Sequence, residues 1–111
     1  MKLLIAGSRN IREYDLEKHI PKETTMIITG GANGIDTLAE AYADKKRLSK
    51  LILRPQYDRY GKAAPIKRNE DMVNLCDMAL TIWDGCSAGT QHTIHYADKM
   101  GKKVILITEN K

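Results

Sequence analysis

The chain has 111 residues, of which 42% are hydrophobic and 29% charged, and carries a formal net charge of +4. That length suits one domain over residues 1–111, with a core of its own, and excludes two; the composition excludes a disordered chain. No apolar run approaches the roughly 20 residues that cross a bilayer, which excludes a membrane-spanning helix.

In chain order, the first predicted element is a strand at "LLIA" (3–6), followed by a weakly patterned helix over 12–20 whose apolar side is only Leu16 and Ile20. A second strand, "MIIT" (26–29), leads into a helix in which Ile35, Leu38, Ala39, Tyr42 and Ala43 fall at i, i+3, i+4, i+7, i+8 and form one apolar stripe. After "LIL" (51–53) a third helix is expected from Ala64 to Cys76, with Pro65 in its first turn and Ile66, Val73 and Cys76 facing inward. The strand "ALTIW" (79–83), a helix carrying Ile94 and Ala97 and stopped near Gly101, and the strand "VILI" (104–107) complete the chain. Strand runs that are continuous rather than alternating belong to a parallel sheet buried on both faces. The pattern βαβαβαβαβ therefore predicts an α/β protein, a single three-layer sandwich around a five-stranded sheet.

Ligands of such sheets sit beyond the carboxyl ends of the strands. There the first strand is followed by Gly7, Ser8 and Arg9, and the second by Gly30, Gly31, Ala32 and, at the next helix start, Asp36. The fourth is followed by Asp84, Gly85, Cys86, Ser87, Ala88, Gly89 and Thr90. Glycine loops running into helix starts present backbone N–H groups at the positive end of the helix dipole, a place for an anion. Ser87 or Thr90 would add a hydroxyl, and Arg9 and Arg68 positive charge; phosphate is the natural guest. No Gly-Lys-Ser/Thr triplet is present and "GGANG" is not GxGxxG, which argues against a Walker ATPase and the dinucleotide fingerprint. Asn69 either caps or contacts the ligand, and Asp36 either stabilises its helix or holds a ribose hydroxyl. Tyr57, Tyr60 and Trp83 are candidates to stack on a base, Trp83 having a core role as the alternative.

Cys76 and Cys86 form no CxxC pair, so reduced thiols are expected. His92 and His95 make an HxxH motif with Cys86 upstream but lack a patterned carboxylate or second cysteine; a metal or other cofactor is not expected. The opening "KLLIAGSR" has no secretory leader pattern, and a soluble cytoplasmic protein is the expectation. Lys45, Lys46, Arg47, Lys102 and Lys103 are interspersed with acids along the chain, which disfavours a nucleic-acid surface.

The segments "AGSR", "TGGANGIDTLAEAYA", "YGKAAPIKRNEDM", "DGCSAGT" and "KKVILIT" resemble small Rossmann-like proteins of the SLOG superfamily, which also holds the lonely-guy phosphoribohydrolases and the DNA-processing protein A fold. The resemblance covers essentially the whole chain. It implies a parallel sheet of order 3-2-1-4-5 and a pocket for nucleotides or nucleotide-derived ligands. The phosphoribohydrolase loop PGGxGTxxE matches "DGCSAGTQHT", which puts Gly89 and Thr90 at the phosphate-cradling pair and Thr93 where that family has its catalytic Glu. The Arg-Lys-x-x-Met helix matches Arg68 to Met72, keeping the Arg and replacing the Lys by Asn69. Loss of that Glu favours a sensor or sponge for a phosphorylated ribonucleoside or ADP-ribose-like molecule. The alternatives are a hydrolase using Asp84, Glu70 or Asp36 as general acid or base, and a single-stranded nucleic-acid binder. Self-association is expected of a domain this small.

Overall fold

Leu3, Leu4 and Ile5 are consecutive and all 0% exposed, so the strand that carries them must be covered on both sides. A computed structural model, describing residues 1–109, shows how. Strand β1 (Lys2–Gly7) is the centre of a sheet with β2 (Met26–Thr29), β3 (Ser49–Ile52), β4 (Met78–Trp83) and β5 (Lys103–Thr108). All pairings are parallel and the order is β3-β2-β1-β4-β5, a Rossmann-like α/β arrangement. The register sets Leu3 beside Ile27 and Met78, and Ile5 beside Leu80.

Alternation along the strands divides the core into two halves. On one face Leu3, Ile5, Ile27, Leu80 and Ile82 pack with Ile35, Ala39 and Ala43 of helix α1 (Ile35–Lys46). On the other, Leu4, Ala6, Ile28 and Ala79 pack with Met72 and Val73 of α3 (Ala64–Leu75) and Ala97 of α4 (Ala88–Lys99). A single-turn helix, α2 (Tyr57–Tyr60), precedes α3. No helix among the described residues is long and apolar enough to cross a membrane.

Three expectations are corrected. Residues 12–20 form no α-helix: only a 3-10 turn, Glu17–His19, interrupts an irregular crossover. The polar run Arg12–Glu13 offers no apolar face for a helix to bury, and the chain instead delivers Ile11 and Leu16 singly into the first core half. The edge strands are not buried on both faces: β3 is largely exposed and β5 only half covered. Finally, Ile66 is 48% exposed rather than inward. The buried side of α3 runs through Ala64, Arg68 and Met72, four residues apart, and Ile66 falls roughly half a turn away from it.

Burial makes the two faces of α3 unequal under mutation. Met72→Ala should cost about 2–5 kcal/mol, whereas Ile66→Ala should stay within about 0.5 kcal/mol of wild type. Urea midpoints at constant slope measure both, and equal losses would contradict this packing.

Candidate functional site

Because every strand is parallel, all five carboxyl ends meet the same edge of the sheet. A cleft of about 360 Å³ opens there. Gly7, Ser8 and Arg9 line it from the end of β1, Ala32 and Asp36 from the β2–α1 connection, and Arg68 and Asn69 from α3. Asp84, Ser87, Gly89 and Thr90 line it from the β4–α4 connection. Gly30, Gly31 and Tyr57 lie instead on a neighbouring cleft of about 260 Å³. The two clefts share Arg9, Ala32 and Arg68.

Sequence motifs brought these residues forward, but their roles differ in detail. Asp84 lines the cleft and also organises its own loop. Its Oδ1 accepts the amide N–H groups of Cys86 and Ser87, both at 2.8 Å, and its Oδ2 accepts the Ser87 hydroxyl at 2.9 Å. Those amides hold the Asp84 carboxyl down to about 2. The Trp83 indole N–H donates to the Ser87 carbonyl at 3.0 Å, which pins the loop from the strand side. Ser8 is buried and accepts the Asp84 amide on its hydroxyl at 2.9 Å, which ties the β1 and β4 loops together.

With Ser87 turned to Asp84, α4 begins without a side-chain cap. The amides of Ala88, Gly89 and Thr90 therefore have no intrahelical acceptor and stand at the positive end of the helix. A side chain built on Gly89 would approach only Asn69 Nδ2, at 4.0 Å, so the space beside Gly89 is open. Bare amides at a helix start have the geometry of an anion cradle. Thr93 is buried and donates its hydroxyl to the Gly89 carbonyl at 3.1 Å.

Arg68 is 9% exposed. Its Nη1 donates to the carbonyls of Gly30 at 2.7 Å and Leu53 at 3.2 Å, and its Nε to Asn69 Oδ1 at 2.8 Å. Among the described residues these bonds leave Nη2 as the end of the guanidinium without a protein acceptor. Burial pushes the Arg68 pKa down, opposed by the Asp36 carboxylate and assisted by the like charge of Arg9. Gly30 is explained by this brace: a Cβ there would sit 2.6 Å from Arg68 Nη1 and 3.0 Å from Asp36 Oδ2. Asp36 is buried and accepts the Ala32 amide at 3.2 Å; desolvation raises its pKa despite that bond and the nearby Arg68 charge.

Other candidates stand apart. Glu70 lies outside both clefts, with its carboxylate 3.1 Å from His92 Nε2. Gly85 is exposed in the β4–α4 loop and lines neither cleft. Tyr60 faces a separate depression and carries the Arg59 guanidinium over its ring at 5.2 Å. Cys76 is buried, its thiol donating to the Val73 carbonyl at 3.2 Å, while Cys86 is exposed beside the cradle. Among the described residues no group of three metal-ligating side chains occurs. Sequence reasoning missed Asn10, Pro65 and Met72 on the first cleft and Arg54 on the second. Arg54 was detectable, since it lies two residues past the end of a strand as Arg9 does.

The Gene 61 protein of Mycobacterium phage D29 is 32% identical to this chain over 117 aligned positions, which span 94% of each protein. The chain belongs to the family of that phage protein. Coverage of this extent makes the family likeness one of whole domains rather than of a single loop. No family model and no solved structure matches the chain.

The two carboxylates of the cleft titrate in opposite senses. Asp84, depressed, stabilises the fold above the ordinary carboxylate range and loses that contribution as pH falls toward about 2. Asp36, raised, imposes a penalty that appears as pH rises through the ordinary value. Relative to wild type, Asp84→Asn should flatten the acid loss of stability, and Asp36→Asn should gain as pH rises from about 3 to about 7. Urea midpoints across that range check this; parallel profiles for all three proteins would contradict it.

Proposed function

We propose that this chain is a SLOG-type cytoplasmic sensor or sponge that binds a nucleotide or nucleotide-derived ligand, a phosphorylated ribonucleoside or ADP-ribose-like molecule, at the carboxyl edge of its sheet. One observation carries the reading: the uncapped amides of α4, Thr90, Asn69, Arg9 and the buried Arg68 all border a single open cleft. Backbone donors and guanidinium groups complement a phosphate, and a cleft of about 360 Å³ is within the usual range for small-ligand sites. Binding without turnover is favoured because Asp84, hydrogen-bonded and fully ionised, is a poor proton donor or acceptor near neutral pH. Self-association belongs to the same proposal, supported by the exposed Leu75, Met100 and Leu106.

A hydrolase is the second reading, and Asp36 is what favours it. Of the three candidate acids it alone lies on the cleft with a raised pKa, a setting in which a carboxyl acts as general acid or base.

Calorimetry with a panel of ribonucleoside phosphates and ADP-ribose, with product analysis of the same mixtures, separates the readings. Binding heat without product is expected. Arg9→Gln, at an exposed side chain, should weaken binding about tenfold while leaving the melting temperature unchanged. Absence of binding across the panel, or indifference to Arg9→Gln, would reject the cleft as the site; product that disappears in Asp36→Asn would establish the hydrolase instead.

A further inference from the structure

Three guanidinium groups stand around the paired clefts: Arg9, Arg54 and Arg68. Arg54 follows β3, is exposed, and donates its Nη1 to the Gly31 carbonyl at 3.2 Å, so its position is set by the β2–α1 loop. No ion pair among the described residues involves any of the three. The Asp36 carboxylate near Arg68 offsets part of this positive charge, and a bound anion would relieve the repulsion that is left.

All three border the second cleft, whereas the start of α4 borders only the first. Gly89 and Thr90 border the first cleft and not the second, Arg54 borders the second and not the first, and Arg68, braced and nine-tenths buried, forms part of both walls. Tyr57, 59% exposed, rims the second cleft. The layout is two anion subsites meeting at a fixed guanidinium.

Resting on the binding function proposed above, we propose that the ligand is a nucleoside diphosphate or an ester of one, its diphosphate crossing Arg68. One phosphate takes the α4 amides and the other takes Arg54, with Arg9 serving both. Monophosphates fill the first subsite alone.

The test compares matched ribonucleoside 5′-monophosphates and 5′-diphosphates of each base by calorimetry, on wild type, Arg54→Gln and, as a charge control away from the clefts, Arg59→Gln. Wild type and Arg59→Gln should prefer the diphosphate of the bound base by about tenfold or more, and Arg54→Gln should reduce that ratio to near one. The melting temperature of Arg54→Gln should match wild type, since the side chain is exposed. Equal affinity for mono- and diphosphate in the wild type would overturn this inference and leave the nucleotide-binding function standing. An equal fall of the ratio in Arg54→Gln and Arg59→Gln would also overturn it, by reducing the preference to overall charge. No binding of either class would remove both.

Discussion

A guanidinium that is nine-tenths buried must have most of its donors met, and the way Arg68 meets this demand through Nε and Nη1 shapes the rest of the edge. Its bonds to Gly30, Leu53 and Asn69 join the loop after β2, the chain after β3 and the helix α3 in one polar knot. Removing it would strand carbonyl groups at a buried position, at about 1–3 kcal/mol for each left unpaired. Lysine cannot replace it, because one ammonium does not span acceptors on separate elements as a planar fork does. The same knot requires glycine at position 30, sits beside the Asp36 carboxyl and forms part of the wall between the two clefts.

The β4–α4 loop reveals its own electrostatic character. Asp84 occupies two of its amides and stays ionised down to about 2, so the loop already stabilises one negative charge. Ser87 then serves Asp84 rather than α4, and the helix is left with bare N–H groups facing the open side. The acid thus frames its own loop and leaves the amides of the next turn bare.

The fold was legible in the sequence where packing was two-sided. Runs such as "LLIA" and "ALTIW" named the central strands, because burial on both faces leaves no room for charged residues, and the one-sided stripe from Ile35 to Ala43 named α1. Edges were harder. β3 holds only Leu51 and Ile52 as apolar residues after Ser49 and Lys50, and its start is set by pairing with β2 rather than by its own hydrophobicity. The segment 12–20 misled because two apolar residues at helical spacing are equally served by an irregular chain that drops them into the core one at a time. Strand-end motifs located the cleft, since in a parallel sheet one edge collects every loop of that kind. What they did not give was the division of labour: whether Asp84 faces a ligand or its own amides, and whether Arg68 is free or braced, depend on atoms from elements far apart in the chain. Arg54 carries no glycine signature, since its loop has none.

The unequal settings of the two thiols give the molecule a built-in handle. Cys76 is enclosed and its pKa is raised by burial, while Cys86 is exposed two residues after Asp84. An alkylating fluorophore applied to the native protein therefore reacts at one position, on the lip of the cradle. Without any engineered residue, such a dye would register occupancy of the neighbouring space as a change in its emission.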